Sequence, residues 1–163
     1  MSAEDDIARI RLQEERLQFP SFDIDAAWHL GTLLRDAAVA RSAPVAIDIQ
    51  VHGHPLFFSA LPGSTPENID WIRRKRNVVQ LFRRSSYVVG MELQVQETSL
   101  TARLGVDGKD YAAGGGGFPI LVRGSGCVGF IGVSGLPQRE DHELIVSVLC
   151  TVLGVPYEEV RLD

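Results

Sequence analysis

Cysteine is nearly absent from this chain of 163 residues, with Cys127 and Cys150 the only two. Their separation matches no zinc-ligand or redox spacing, and nothing in the sequence argues for a disulfide between them. Reduced, buried thiols are expected, and with them a cytoplasmic setting. Long apolar runs are missing too. The longest, Leu144 to Val155, contains Ser147, Thr151 and Gly154 and is too short to cross a bilayer, so no membrane partner is expected. The opening MSAEDDIARI is acidic and lacks the basic-then-apolar order of a secretory signal. Positive charge is in deficit: the formal net charge of −5 argues against a general nucleic-acid partner. No internal repeat or low-complexity linker divides the chain, which is read as one domain large enough to bury a core.

The sequence does hold one local excess of positive charge. Leu61 to Ser86 reads LPGSTPENIDWIRRKRNVVQLFRRSS, a turn followed by a basic amphipathic helix at Pro66 to Phe82. Thr65 is placed to cap it, Pro66 suits its first position, and Glu67 lies in the first turn, where the helix dipole favours acids. Arg73, Arg74, Lys75 and Arg76 are consecutive, and at about 100° per residue they cover the whole circumference of a helix. They cannot all face solvent if the helix packs on anything. Trp71, Ile72, Val78, Val79 and Phe82 define an apolar face, with Lys75 in its middle. That ammonium has three outcomes: it snorkels to water, it pairs with a buried carboxylate, or it lines a ligand pocket with Arg76. Burial without a partner is excluded on cost unless the lysine is functional.

The remaining chain alternates helices with close strand pairs. Helices are expected at Ile7–Leu17, Asp25–Arg41, Ser85–Gln96, Ser99–Leu104 and Arg139–Leu153. Val45, Ile47, Ile49 and Val51 alternate with Ala46, Asp48, Gln50 and His52, the period of a half-buried strand. A turn at His52–Pro55 leads to a second strand at Leu56–Leu61, and Ile120–Val122 with Cys127–Val133 makes a second hairpin. The strand pairs are too close to hold crossover helices, so the class is α+β, an antiparallel sheet flanked by helices.

Several motifs fail their structural context. Gly124–Gly129 matches G-x-G-x-x-G but precedes a strand-like FIGV, so it is read as a hairpin turn and not a dinucleotide fingerprint. Gly132-Val133-Ser134-Gly135-Leu136 departs from the nucleophile elbow at its last position, and Ser134 is read as bonding local backbone. Gly114–Gly117 lacks the lysine and hydroxyl of a phosphate loop. Its four glycines are either floppy or needed for close backbone approach, which would cradle a ligand anion or a neighbouring subunit. His52 and His54 straddle a turn glycine, His29 lies on a polar side, and His142 edges a core stripe. No metal site follows from their spacing. The imidazoles are still the first candidates to ligate a haem iron, with Tyr87, Tyr111 and Met91 behind them.

GGFPILVRG…CVGFIGVSG, together with LPGSTPENIDWIRRKRNVV, RSSYVVG and VSGLPQREDHEL, resembles the GlcG/HbpS-like family, often called haem-degrading, and within it an uncharacterised branch. The resemblance covers about Phe19 to Leu153. It implies a profilin-like fold, a homo-oligomer, and a link to haem or a similar small ligand. It also implies a histidine just before the glycines, where this chain carries Gly114. The domain is expected at 19–155, with a helical extension at 1–18 and a tail at 156–163. A homo-oligomeric small-ligand-binding domain is the leading reading. The rivals are an enzyme acting on haem or a small organic acid, and a non-catalytic assembly protein. Expected ligand-binding residues are Lys75, Arg76, His52, His54, Tyr87, Gly115, Gly116 and Phe118. No catalytic residue or metal ligand is assigned, and haem stays open as the cofactor.

Overall fold

A computed structural model describes residues 2–163. Its centre is a four-stranded antiparallel sheet in the order β2-β1-β4-β3, with β1 at Ala46–Val51, β2 at His54–Ala60, β3 at Gly117–Val122 and β4 at Gly126–Ser134. Around it lie α1 (Ala3–Arg16), α2 (Ile24–Ala40), α3 (Pro66–Phe82), α4 (Ser86–Val95), α5 (Leu100–Leu104) and α6 (Gln138–Leu153), and then a 3-10 turn at Tyr157–Glu159. The α+β class is as the sequence indicates. Among the described residues no helix is long and apolar enough to cross a membrane.

Both faces of the sheet are covered. Ala27, Leu30, Leu34 and Ala38 of α2, with Leu144, Ile145, Val148 and Leu149 of α6, bury Val45, Ile47, Ile49, Ile131 and Val133. Gly31 admits the Phe57 ring, since a Cβ there would lie 2.3 Å from it. On the opposite face α3 sets Ile72 and Val79 against Ala46 and Phe130. The expected strand alternation is therefore present, but the strand is not half-buried. Asp48 and Gln50 face the α3 side and are themselves buried. They satisfy each other through a hydrogen bond from Gln50 Nε2 to Asp48 Oδ2 of 2.7 Å. Burial pushes the Asp48 carboxyl up from its usual range.

Local chemistry sets the helix starts. Ser2 and Asp5 form a reciprocal capping box at α1, which begins earlier than Ile7. At α3 the Asn68 side chain accepts the Thr65 N–H at 2.8 Å, and Pro66 occupies the first turn. The second hairpin strand starts at Gly117 and not at Ile120. Pro119 is tolerated there because β3 lies at the sheet edge. Gly124 and Gly126 take positive φ in the β3–β4 turn, so the G-x-G-x-x-G run is a hairpin turn as read.

Candidate functional site

The four consecutive cations of α3 diverge as their spacing requires. Arg73 pairs with Asp70 and Asp110, each at 3.0 Å. Arg74 stacks over the Trp71 ring at 4.2 Å and donates to Gly108 O at 2.9 Å. Arg76 lies on the Asp48 side, where its charge opposes the rise of that carboxyl. Lys75 turns inward and is 6% exposed. Its Nζ donates to Val133 O at 3.1 Å and to Asp141 Oδ2 at 3.4 Å. Snorkelling, the first of the three expected outcomes, is thus overturned. The partner carboxylate belongs to the same chain.

Asp141 opens α6 and turns its carboxylate back under the β4–α6 connection. Its Oδ1 accepts the Leu136 N–H at 2.9 Å, and Oδ2 accepts the Gly135 N–H at 3.4 Å. Burial pushes its carboxyl up to about 6, against the opposing pull of Lys75 and the two N–H donors. Burial also lowers Lys75, against the attraction of Asp141. The two trends agree: removal from water weakens both charges, and the pair partly restores them.

The glycine run is built for close approach. Gly116 has φ +116°, and a Cβ there would lie 2.2 Å from Val133 O and 2.7 Å from Lys75 Nζ. A Cβ on Gly115 would lie 2.0 Å from Gln138 O. Ser86 of α4 pins the run from one side, donating to Gly114 O and accepting the Gly117 N–H at 3.0 Å. Gln138 Oε1 pins it from the other, accepting the Gly115 N–H at 3.3 Å. Of the two alternatives for this loop, close approach is the one realised.

These parts border a cleft of about 530 Å³, walled by Glu67, Asn68, Trp71, Arg74 and Lys75 of α3, residues 112–115, residues 134–136, and Gln138 and Asp141 of α6. Ser134 at its floor receives a hydrogen bond from the Asn68 side chain at 3.5 Å, where sequence suggested a local backbone partner. Trp71, expected on the packed face of α3, is instead 37% exposed at the rim.

Of the residues expected at the site, Lys75 and Gly115 line this cleft, and Gly116 lies against the Lys75 ammonium. Tyr87 lines a smaller adjoining hollow of about 230 Å³, which shares Ala113 and Gln138 with the main cleft. His52 borders a separate hollow of about 180 Å³ with Arg83 and Cys127. His54 is exposed on β2, Arg76 is outside the cleft lining, and Phe118 is fully buried in the core. Residues not anticipated from sequence are Asp141, Arg74, Trp71 and Gln138. Asp141 had one legible signal: an inward lysine needs a carboxylate, and the acids opening the last helix were at hand.

Fold and cleft together define a single-domain α+β protein with a helix-flanked antiparallel sheet and a polar cleft between α3 and the start of α6. The chain belongs to the HbpS-like family, described as "Haem degrading protein HbpS-like", whose model matches residues 22–149. A UPF0303 protein of Azotobacter vinelandii is 56% identical over 163 residues, covering 100% of this chain and 98% of the relative. The solved structure of the Ybr137w protein superposes with a TM-score of 0.84 at 32% identity, covering 91% of this chain and 87% of that one. The PduOC protein, solved as a complex with heme, superposes with a TM-score of 0.68 at 16% identity, covering 80% and 94%; that likeness is one of fold.

Proposed function

We propose that the chain is a homo-oligomeric domain of the cytoplasm that binds a small organic ligand, bearing a carboxylate or carbonyl oxygen, in the α3–α6 cleft. One observation carries this reading. An ammonium has three N–H donors, and Lys75 Nζ has two acceptors among the described residues, Val133 O and Asp141 Oδ2. The third donor is left for an oxygen in the cleft. Trp71 with Arg74 stacked on it supplies a flat wall beside that donor.

The family description and the heme complex of PduOC raise haem as the ligand. The chemistry of the cleft does not fit an iron-ligated haem. Its lining has no His, Met, Cys or Tyr side chain, the groups that hold haem iron, and position 114 is glycine. His142 is fully buried and does not border the cleft. Arg74 and Lys75 suit carboxylates, so the same cleft accommodates an acid without metal. The oligomer reading draws on exposed apolar residues, Ile24 and Trp28 at 63% each on α2 and Phe58 at 51% on the outermost strand. The cytoplasmic reading draws on the two free thiols.

The test is a titration followed by amide chemical shifts and by absorbance. Small carboxylates such as acetate and pyruvate are expected to move the Gly115, Gly135 and Leu136 amides saturably, while haemin gives a featureless rise. Gly114→His should install an iron ligand and convert that rise into a sharp band saturating at one haem per chain. A saturating haemin band from the unsubstituted protein, with no response to carboxylates, would overturn the reading. Light scattering that returns a monomer mass would remove the oligomer from it.

A further inference from the structure

Lysine is rare in this chain: Lys75 and Lys109 are the only two, against fourteen arginines. Arginine is the better residue for a buried ion pair, because its planar fork satisfies a carboxylate bidentately and stays charged. Here the buried pair facing Asp141 uses lysine instead. Its N···O separation of 3.4 Å is long for a charge-assisted hydrogen bond, which usually spans about 2.7–2.9 Å. Lysine differs from arginine in one chemical respect that matters at such a site: it can give up its proton and become a nucleophile.

The surroundings favour that change. Lys75 Nζ borders a cleft large enough for a small molecule, and position 116 beside it is glycine, so no side chain shields the amine there. Asp141 Oδ2 stands 3.4 Å from the amine, and two backbone N–H groups fix its orientation. Burial disfavours the charge on both partners, so the neutral amine with a protonated carboxyl lies closer in energy than it would in water.

Building on the cleft-binding reading, we propose that Lys75 is an imine-forming nucleophile for a small aldehyde or ketone held in the cleft, with Asp141 as its proton shuttle. Asp141 takes a proton from the ammonium, and the freed electron pair on Nζ attacks the carbonyl carbon. A C–N bond forms, and the carbonyl oxygen receives the proton from Asp141. Asp141 then takes a second proton from the nitrogen and delivers it to the hydroxyl, which leaves as water as the C=N bond forms. The sum is ammonium plus carbonyl giving iminium plus water, with no oxidation or reduction and Asp141 returned as carboxylate.

The test uses the full chain with pyruvate or butanal as probe and cyanoborohydride as the hydride donor that traps an imine as a stable secondary amine. Peptide mass mapping compares the two lysines within one molecule, Lys109 having a side chain 77% exposed. Adduct at Lys75 should saturate with probe concentration and form at least about tenfold faster than at Lys109, as a carbonyl held beside the amine in the cleft requires. Asp141→Asn should slow the Lys75 adduct by roughly a hundredfold, the usual worth of a placed acid–base group, while the adduct at Lys109 continues unchanged. Labelling at Lys109 alone, or at equal rates on both, overturns the proposal. If the cleft amides still shift with pyruvate in that case, ligand binding stands and only the covalent step fails; if they do not, both fall.

Discussion

Gln13 Oε1 on α1 lies 2.8 Å from Nε2 of His142 on α6, and both residues are wholly buried. The Gln13 amide nitrogen donates to Glu143 Oε1 at 3.0 Å and to Val160 O at 2.9 Å, so its oxygen must accept from the imidazole. His142 therefore carries its proton on Nε2, and its Nδ1 has no partner. The rings of Tyr87 and Phe118 pack at 5.2 and 5.8 Å, and Arg139 adds an opposing charge. Burial first, and then Arg139, push the imidazole down to about 3.

Acid should weaken the fold through this histidine. The unfolded chain binds a proton at His142 below about 6.5, whereas the folded chain does so only near 3, so its contribution is complete above 6.5 and is lost as pH falls across that window. One proton is worth about 1.4 kcal/mol per pH unit. Asp141 acts in the opposite sense between 3.8 and about 6, because its folded form holds a proton that the unfolded form has released. Urea denaturation of wild type and His142→Gln, repeated from pH 7 down to 4, isolates the histidine. The wild type should show the steeper loss, by up to one proton. Parallel curves would mean that His142 is not kept neutral.

Lys75→Met tests the buried pair by stability. It keeps the aliphatic stem but strands the Asp141 carboxylate, a change that costs about 3–5 kcal/mol when one partner of a buried pair is removed. A carboxyl held above its unfolded value destabilises increasingly as pH rises through its folded value, and loss of the ammonium sharpens that trend. The penalty should be large at pH 8 and clearly smaller at pH 5, where Asp141 is protonated. An equal penalty at both, measured by denaturant midpoint, would mean the carboxylate has found another partner.

On β1, Ile47→Ala should cost roughly 2–5 kcal/mol, as expected for a fully buried aliphatic in a packed core. The neighbouring Asp48→Ala removes the acceptor of Gln50 Nε2 and should cost about 1–3 kcal/mol. Thermal unfolding of the two variants compares them. A solvent-level effect at Asp48 would contradict its burial beneath α3.

These strand residues mark how far sequence reading reached. Alternation identified which β1 side chains share a face, since the period of two is fixed by the backbone. It carried no information on whether the polar face was also covered, because that depends on α3 returning across the sheet. Likewise the Arg73–Arg76 run forced at least one cation inward, but only the fold shows Asp141, 66 residues away, meeting it. The histidines drew attention as chemical groups, yet topology scattered them. His52 and His54 flank a hairpin end, and His142 is sealed in the core.

Gly116→Ala and Gly114→Ala should part company despite their proximity. At Gly116 a methyl meets Val133 O and Lys75 Nζ and is strained by the positive φ, so a loss of about 1–3 kcal/mol is expected. At Gly114 the methyl meets only Gln138 Oε1 at 3.3 Å, the far end of a flexible side chain. That variant should stay within about 1 kcal/mol of wild type. Melting temperatures of the pair, recorded together, check the contrast. Similar losses would show that the loop resists any side chain and not one conformation.

The Gln13 junction also constrains when the protein can become whole. Its amide reaches Val160 O across 147 residues, and Arg9 reaches Glu159 O across 150. The first helix leaves the ribosome well before its polar anchor is synthesised, since the two are 147 residues apart. Until residue 160 is free, Gln13 and the bare imidazole of His142 have no dry, satisfied resting place, and the α1-facing side of α4 and α6 stays open. Nascent chains halted before that residue should thus be the state most exposed to chaperones and proteases, with α1 unseated and the sheet already formed.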